Sequence, residues 1–246
     1  MIRREITNKI RYVLDEWIPP VIRDSYWFMY PFFFFAYHGK DIKQKMHFKS
    51  LVHNMTDQEY QDFYCRNESI SSRRLTDLSE SNIQYILKNI AGNLQSIVDI
   101  GCSKGYLLDR IKKISPDARL CGVDLQNQLQ FDGIEFVKSG ITRLPFADNS
   151  FDLVICTHTI EHIVPLQQAI NELVRVTKKK LIIVTPRQRY YYYTIDGHVN
   201  FFYKKEELLR YLPFSTYSCI ELNMDWVFIG EKIENGEDQY QLTTNK

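Results

Sequence analysis

Two glycines four residues apart follow a short apolar run, and their spacing suggests a binding site. Gly101 and Gly105 come directly after the apolar run 96–100. Glycine lets the backbone turn sharply and approach a ligand closely, and a following helix presents backbone N–H groups without partners inside the helix. Asp124 lies 23 positions beyond Gly101, at the end of the next apolar run. A carboxylate there suits a ribose diol, so the spacing predicts a nucleoside-containing ligand, although it is not the G-x-G-x-x-G pattern of dinucleotide sites.

Three histidines follow predicted strands and are candidate general bases. They are His158, His162 and His198. An imidazole can take the proton of a hydroxyl acceptor near neutral pH, and His198 is the preferred candidate. The alternative for His198 is a histidine that only packs its loop. Residues 158–162 also match H-x-x-E-H, a zinc-protease pattern, but that pattern needs a long helix and here it follows a buried strand. The sequence therefore predicts no metal, and Glu161 with His162 is interpreted as a pair that braces a turn.

The loop 186–198 is rich in arginine and tyrosine. Arg187 and Arg189 could hold an anionic group with paired N–H donors. Tyr190 and Tyr192 could line a pocket for a sugar or an aromatic acceptor. The alternative is a surface loop whose aromatic rings pack against the protein. The functional interpretation predicts that the substrate-binding residues are these four together with His198.

Short apolar runs alternate with helical patterns from residue 96 onward. The predicted strands are 96–101, 119–125, 134–140, 151–157 and 180–186, and the predicted helices are 105–114, 166–177 and 205–212. Such alternation is typical of a parallel sheet covered by helices on both faces. Two further apolar runs, 218–223 and 225–233, have no helix between them and predict an antiparallel hairpin at one edge. The predicted fold class is α/β, a Rossmann-like seven-stranded and mostly parallel sheet with a terminal antiparallel hairpin, plus an N-terminal helical cap.

Residues 1–80 have a different character from the rest of the chain. Apolar residues recur at helical spacing over 2–17, and the almost entirely aromatic run 25–37 follows. That run is too short for a membrane span, which needs about 20 residues. It is either a membrane-surface or partner-docking element, or a cap whose aromatics pack on the main domain or across a dimer; the second interpretation is preferred. The predicted domains are an N-terminal extension or cap over 1–80, the main domain over 81–233 and a polar tail over 234–246.

Composition narrows the possible partners and compartment. The 246 residues carry a net charge of +1, which argues against broad nucleic-acid binding, since that needs a cationic face. The five cysteines form no C-x-x-C pair, as expected of reduced thiols in the cytoplasm. The N-terminus has no apolar core followed by a small-residue cleavage site, so no signal peptide is expected. The predicted location is cytoplasmic, with membrane association through residues 1–60 as the alternative to a homodimer.

Four motifs in order resemble those of class I S-adenosylmethionine-dependent methyltransferases. They are VDIGCSKG (98–105), GVDL (122–125), LPFADNSFDLVICT (144–157) and IEH (160–162), and the similarity covers roughly 70–230. The order is similar to that of the small-molecule, type 11-like branch. The resemblance implies S-adenosylmethionine as cofactor and S-adenosylhomocysteine as product. The residues implied in cofactor binding are Asp99, Gly101, Cys102, Ser103, Gly105, Tyr106, Asp124, Leu125, Gly140, Ile141, Thr157 and Arg73.

The resemblance assigns a part of the cofactor to several of these residues. Asp99, Gly101 and Gly105 would line the methionine end, and Asp124 would hold the ribose. Arg73 or Arg74 would close over the methionine carboxylate. Ile141 would flank the adenine, but many relatives carry an aspartate here that binds the adenine amino group, so adenine must be held by the backbone or by another residue.

The expected function is methyl transfer to an oxygen of a small anionic acceptor, phosphorylated or sugar-derived, as in bacterial capsule or surface-polysaccharide biosynthesis. One alternative is a lipid or quinone methyltransferase at the membrane surface. Another is a non-catalytic S-adenosylmethionine-binding protein. A nucleotide-dependent oxidoreductase would need the longer glycine fingerprint, which the chain lacks.

Overall fold

The computed structural model describes residues 4–66, 74–90 and 94–233, and the predicted tail 234–246 lies outside them. The described residues form one seven-stranded sheet in the order β3-β2-β1-β4-β5-β7-β6. Its strands are β1 Ser96–Ile100, β2 Arg119–Asp124, β3 Glu135–Lys138, β4 Phe151–Thr157, β5 Thr177–Pro186, β6 Thr216–Leu222 and β7 Asp225–Glu231. Strands β1 to β5 pair in parallel, whereas β7 pairs antiparallel with both β5 and β6. The predicted fold class, including the terminal hairpin, is confirmed.

Helices cover both faces of this sheet because its central strands are apolar on both sides. In β1, Val98 and Ile100 join the core on one face, which the helix Leu166–Val176 covers, and Ile97 joins the core on the other face, which the helices Glu80–Asn89 and Tyr106–Lys112 cover. This follows from the alternation of side chains along a strand. The helices of the main domain are α7 Glu80–Asn89, α8 Tyr106–Lys112, α9 Leu166–Val176 and α10 Lys205–Leu209. A single 3₁₀ turn, Ile160–His162, follows β4.

The N-terminal part of the chain is helical. Its helices are α1 Arg4–Glu16, α2 Pro20–Arg23, α3 Tyr26–Tyr37, α4 Ile42–Met46, α5 Phe48–Val52 and α6 Asp57–Arg66. The aromatic helix α3 buries Met29, Phe33 and Tyr37 in a small core that also contains Tyr191 from the loop after β5. Helices α3 and α4 therefore contact, through Tyr191, the loop after β5 that is expected to lie over the acceptor site. The division of the chain into separate domains near residue 80 stays a prediction.

Candidate functional site

The loop between β1 and α8 has the sharp turns expected of a ligand-binding loop. Gly101, Ser103 and Gly105 all have positive φ, at 82°, 48° and 78°. A Cβ on Gly101 would collide with the side chain of Thr159, and one on Gly105 would lie 2.7 Å from a methyl carbon of Leu129. Both positions therefore require glycine on steric and conformational grounds. Ser103 adopts the same left-handed region with a side chain, which is uncommon outside strained or functional loops.

Asp124 connects this loop to the end of β2. Its Oδ2 accepts a hydrogen bond from the backbone N–H of Ser103 at 2.9 Å, and its Oδ1 accepts one from Leu125 at 2.7 Å. Burial raises the pKa of this carboxyl, and the backbone hydrogen bonds oppose that shift. Each carboxylate oxygen has a second lone pair, so Asp124 can brace the loop and still accept from a ribose diol.

Asp99 has a buried carboxylate oxygen with no hydrogen bond. Its side chain is only 3% exposed, and among the described residues Oδ1 has no hydrogen-bond partner. Burial, together with the nearby charge of Asp124, raises the pKa of Asp99 to about 7. An unsatisfied buried polar atom is costly, and a cationic ammonium donor would satisfy it. Asp99 and Asp124 together therefore fit the amino-acid end and the ribose of S-adenosylmethionine.

The expected adenine region lies beyond β3, near Gly140. A Cβ on Gly140 would lie 4.0 Å from a methyl carbon of Leu125 and 4.0 Å from Nε2 of Gln61. Ile141 is 6% exposed and packs into the core of the sheet. Gln61 belongs to α6, so a helix of the N-terminal part supplies an amide at this edge. Nothing in the local sequence pattern of α6 indicates that Gln61 belongs to a binding site.

The remaining predicted cofactor residues differ in how they are placed. Cys102 is buried, and burial raises the pKa of its thiol above the ordinary value. Tyr106 begins α8 and accepts a hydrogen bond from Arg110 at 3.2 Å, and Thr157 ends β4. Arg73 lies outside the described residues. Its neighbour Arg74 forms an ion pair with Asp77 at 3.0 Å, and Lys104 of the glycine loop donates to the Arg74 carbonyl at 2.6 Å.

His158 lies directly after β4, between two buried carboxylates. Its φ is 50°, a left-handed conformation that is uncommon for a residue with a side chain. Its Nδ1 lies 3.4 Å from Oε1 of Glu161, and its Nε2 lies 3.5 Å from Oδ2 of Asp225. Asn82 donates to Asp225 at 2.7 Å, and Arg11 of α1 lies 3.6 Å from the same carboxylate. A protonated His158 would therefore have negative charge on both sides.

His162 and His198 are in contact with each other. Their rings are 4.8 Å apart in an edge-to-face arrangement. His198 is 5% exposed, and its Nδ1 lies 2.6 Å from Oε1 of Gln188. Burial lowers the pKa of His198 well below its usual range, with nearby cationic groups adding to the effect. The structure thus brings two predicted bases together, and it keeps His198 neutral and largely shielded from solvent.

Arg187 and Arg189 both bind a carboxylate of the chain itself. Their guanidinium groups lie 3.1 Å and 3.3 Å from the two oxygens of Glu16, at the end of α1. Both stack over the ring of Tyr203, at 4.6 Å and 3.8 Å from its centre. Burial raises the pKa of Glu16, but the hydrogen bond from Arg189 and the two positive charges outweigh this effect and lower it. Binding of an anionic substrate by the two arginines stays a prediction.

The tyrosines of this loop contact the N-terminal helices. Tyr190 is 60% exposed, and the ammonium of Lys49 lies 4.6 Å from the centre of its ring. Tyr192 shares a hydrogen bond with Ser50 at 3.1 Å. Tyr191, which the sequence analysis did not select, is 4% exposed, and its hydroxyl accepts a hydrogen bond from Gln188 at 2.9 Å. The loop thus has the aromatic packing that the sequence analysis kept as an alternative to substrate binding.

The central part of the chain is similar to known methyltransferases. The profile of a family described as a methyltransferase domain matches residues 98–185. The ubiquinone/menaquinone C-methyltransferase of Campylobacter jejuni is 28% identical over 97 residues, which cover 34% of this chain and 40% of that protein. The malonyl-[acyl-carrier protein] O-methyltransferase of Calditerrivibrio nitroreducens is 26% identical over 117 residues, covering 47% and 46%. The chain therefore spans less than half the length of these curated relatives.

Solved structures share the fold. PigF, solved with S-adenosylhomocysteine, superposes with a TM-score of 0.58 at 15% identity, covering 92% of this chain and 74% of that one. The putative methyltransferase in complex with the Trm112 activator of Haloferax volcanii gives a TM-score of 0.54 at 13% identity, covering 72% and 99%. Within the described residues, every helix is too short or too polar to cross a membrane.

Proposed function

Because residues 98–185 match the profile of a methyltransferase domain, we propose that the chain transfers the methyl group of S-adenosylmethionine to an oxygen atom of a small-molecule acceptor. The observation that carries the proposal is the pair of carboxylates at the ends of β1 and β2. Asp99 has a buried oxygen without a hydrogen-bond partner among the described residues, and Asp124 holds the glycine loop in place. When bound, S-adenosylmethionine supplies an electrophilic methyl group on its sulfonium.

The residues of this chain would then hold the cofactor in position and take the proton of the acceptor. Asp99 would accept a hydrogen bond from the cofactor ammonium, and Asp124 would accept from the ribose diol. Gly101 lets the loop pack closely against Thr159, where a Cβ would collide with that side chain. Positioning supplies much of the rate of such a displacement.

His158 is the residue we propose to take the acceptor proton. It follows β4 directly, in the same turn as Thr159, and it is less shielded than His198. Both of its ring nitrogens face carboxylates, so the acceptor hydroxyl would have to replace Glu161 or Asp225 at one nitrogen, and the other carboxylate would stabilise the imidazolium. We expect His158→Asn to lower kcat by about 10²–10⁴-fold for a hydroxyl acceptor, with cofactor affinity unchanged. For an acceptor whose oxygen is already anionic, such as a phosphate, we expect a much smaller loss.

The acceptor that fits the arginine pair is anionic. Glu16 already places a carboxylate between Arg187 and Arg189, so the pair has the geometry for a carboxylate or phosphate group. An anionic acceptor would replace Glu16 there. A sugar phosphate of the kind used for surface polysaccharides is an acceptor of this type.

Two measurements test the proposal. Calorimetry with S-adenosylhomocysteine on wild type and on Asp124→Ala measures cofactor binding, and we expect a loss of about 10- to 100-fold from the lost hydrogen bonds. Detection of S-adenosylhomocysteine during a screen of sugar phosphates and quinols measures turnover. Unchanged affinity in a folded Asp124→Ala would refute the cofactor site. Binding without turnover on any acceptor would favour the non-catalytic alternative.

A second candidate function is methyl transfer to an acceptor held in a lipid surface, and an exposed aromatic face of α3 favours it. This aromatic face consists of Trp27, Tyr30, Pro31, Phe34 and Phe35, which share one side of the helix by their spacing. Trp27 is 82% exposed and Phe35 is 76% exposed. Exposed apolar patches of this kind mark interaction sites with proteins or membranes.

The charges around the aromatic face suit an anionic bilayer. The only acidic residue in 20–37 is Asp24, which accepts a hydrogen bond from the backbone of Tyr192. Lys40 and Lys43 follow the helix and are exposed. At 12 residues, α3 is too short to span a bilayer, but it can lie in the interface with its aromatic face buried. The opposite side of α3 packs through Tyr191 on the loop 186–198, which we call the acceptor loop, so a lipid-anchored acceptor would lie close to it.

Sedimentation with vesicles distinguishes a bilayer from a second copy of the chain. Wild type should sediment with vesicles that contain anionic phospholipid, and Trp27→Ser/Phe35→Ser should not. Tyr217→Ser on β6 is the matched control, since Tyr217 is also exposed, at 49%. Wild type that stays in the supernatant would refute the bilayer contact. A wild-type dimer that Trp27→Ser/Phe35→Ser disrupts would show that the aromatic face contacts a second copy of the chain instead.

A further inference from the structure

Two histidines and a glutamate converge beside the turn after β4. Glu161 and His162 belong to the 3₁₀ turn, and His198 belongs to the loop after β5. One ligand atom from each lies within 4.8 Å of the other two. We propose that these three residues bind a divalent transition-metal ion, with Zn²⁺ as the first candidate.

The donor set is one that such ions use. Two imidazole nitrogens and one carboxylate oxygen bind Zn²⁺ in several enzymes and Fe²⁺ in others. Zinc lies about 2.0–2.1 Å from each ligand, which places tetrahedral ligand atoms about 3.4 Å apart. Metal binding would therefore draw these donor atoms together by about 1 Å, a shift that side-chain rotation can supply.

Carbonyl oxygens orient both imidazoles. Nδ1 of His198 lies 2.6 Å from Oε1 of Gln188, and Nδ1 of His162 lies 3.4 Å from the carbonyl oxygen of Gly197. A carbonyl oxygen only accepts hydrogen bonds, so Nδ1 carries the proton in both rings and the lone pair is on Nε2. Gln188 is itself oriented, because its Nε2 donates to Tyr191 at 2.9 Å. Metal-binding histidines commonly have this arrangement, with the distal N–H donated to a carbonyl or carboxylate.

Glu161 offers a buried carboxylate oxygen to the ion. Its side chain is 1% exposed, and Oε2 accepts a hydrogen bond from Thr185 at 3.3 Å. Within the described residues, Oε1 has no hydrogen bond, and its nearest cationic candidate is Nδ1 of His158 at 3.4 Å. A buried carboxylate oxygen without a donor is unfavourable, and a bound cation would compensate for it.

The proposed site differs from the protease pattern that the sequence contains. In H-x-x-E-H the first histidine would be a ligand, but His158 is outside this group and His198, 40 positions further along, takes its place. The ion would therefore connect the turn after β4 with the acceptor loop. Backbone hydrogen bonds already join them, since Val199 and Asn200 both donate to the Glu161 carbonyl. The proposal does not depend on methyl transfer, and its consequence is a more stable loop.

Metal binding to the full chain tests the proposal directly. The tag-free protein is treated with a chelator, dialysed against Zn²⁺ and analysed for metal content, and Co²⁺ replaces Zn²⁺ for visible absorption. We expect one ion per chain and a melting temperature that rises by about 5–10 °C when zinc exceeds its dissociation constant 100-fold.

Substitutions localise the ion. Glu161→Gln keeps the shape of the side chain and should abolish stoichiometric zinc and the cobalt spectrum. His162→Asn, at a partly exposed position, is the second variant if Glu161→Gln does not fold. His53→Ala is the control, because His53 is exposed in the segment between α5 and α6. Wild type that retains no zinc after dialysis, or a folded Glu161→Gln that binds zinc like wild type, would overturn the proposal.

Discussion

We predict that the buried carboxyl of Asp99 makes cofactor affinity depend on pH near neutrality. Burial and the charge of Asp124 raise the pKa of Asp99 to about 7 in the cofactor-free protein. Only the ionised form can accept from a cofactor ammonium with full strength. With a pKa of about 7, roughly 3% of Asp99 is ionised at pH 5.5, and the apparent affinity falls to about that fraction of its full value. We therefore expect S-adenosylhomocysteine to bind about 30-fold more weakly at pH 5.5 than at pH 8.5.

The same group affects the stability of the cofactor-free protein. A carboxyl whose pKa is raised on folding binds protons more tightly in the folded state, so stability falls as pH rises through the window from 3.8 to about 7. Above that window the ionised carboxyl costs the folded state about 4 kcal/mol. Asp99→Asn should therefore raise the melting temperature at pH 8 and leave it nearly unchanged at pH 4, while it weakens cofactor binding.

Calorimetric titration with S-adenosylhomocysteine between pH 5.5 and 8.5 measures the affinity, and thermal unfolding at pH 4 and pH 8 measures the stability. Wild type should show the affinity change, and Asp99→Asn should show little of it. Asp124→Asn removes the second cause of the raised pKa, so it should move the midpoint of the remaining change to lower pH. An Asp99→Asn variant that keeps the wild-type pH dependence would refute the assignment of the titration to Asp99.

Three further predictions follow from individual contacts. Gly101→Ala should weaken S-adenosylhomocysteine binding and lower the melting temperature, because the added methyl collides with Thr159 at a φ of 82° and displaces the glycine loop; calorimetry and thermal unfolding measure this, and a variant with wild-type affinity and melting temperature would contradict the tight packing of the loop. Gln61→Ala should weaken S-adenosylhomocysteine binding by about 2- to 10-fold through a lost hydrogen bond to the adenine, whereas Gln58→Ala on the same helix should have no effect; equal affinities in both would exclude Gln61. Glu16→Gln should lower the melting temperature at pH 7, and the difference from wild type should disappear as pH falls below the lowered pKa of Glu16; a difference that persists in acid would show that the ion pairs with Arg187 and Arg189 are not its origin.

The sheet could be predicted from the sequence because its signals are local. Each central strand is a short apolar run, and the predicted runs 96–101 and 151–157 agree with β1 and β4 to within one residue. The terminal hairpin was predicted from the absence of a helix between two runs. β5 begins three residues earlier than predicted, since α9 ends at Val176 and the lysines that follow continue the strand at its exposed end. β3 is shorter than predicted because it is the edge strand and pairs only with β2.

The contacts of the site could be predicted only in part. Asp99, Asp124 and the two glycines occupy strand ends, and topology alone brings strand ends together. Glu16 lies 171 residues from Arg187, and no local pattern marks an ion pair between positions so far apart. The contact between His162 and His198 could not be predicted for the same reason, because these two residues also lie far apart in the sequence. Ser103 gives no sign in the sequence of its positive φ, because serine is ordinarily extended or helical.

The N-terminal helices connect the loop after β5, which we propose binds the acceptor, to the edge of the sheet near Gly140, which we propose binds the cofactor. Glu16 of α1 holds Arg187 and Arg189, Lys49 of α5 contacts the carbonyl of Tyr191, and Gln61 of α6 faces Gly140. These contacts begin in one continuous segment and reach both ends of the site. A displacement of that segment by an acceptor at the arginine pair, or by a bilayer at the aromatic face, would therefore also move Gln61 relative to the adenine region. Acceptor and cofactor binding would then be coupled through these helices, and by linkage each would change the affinity for the other by the same factor.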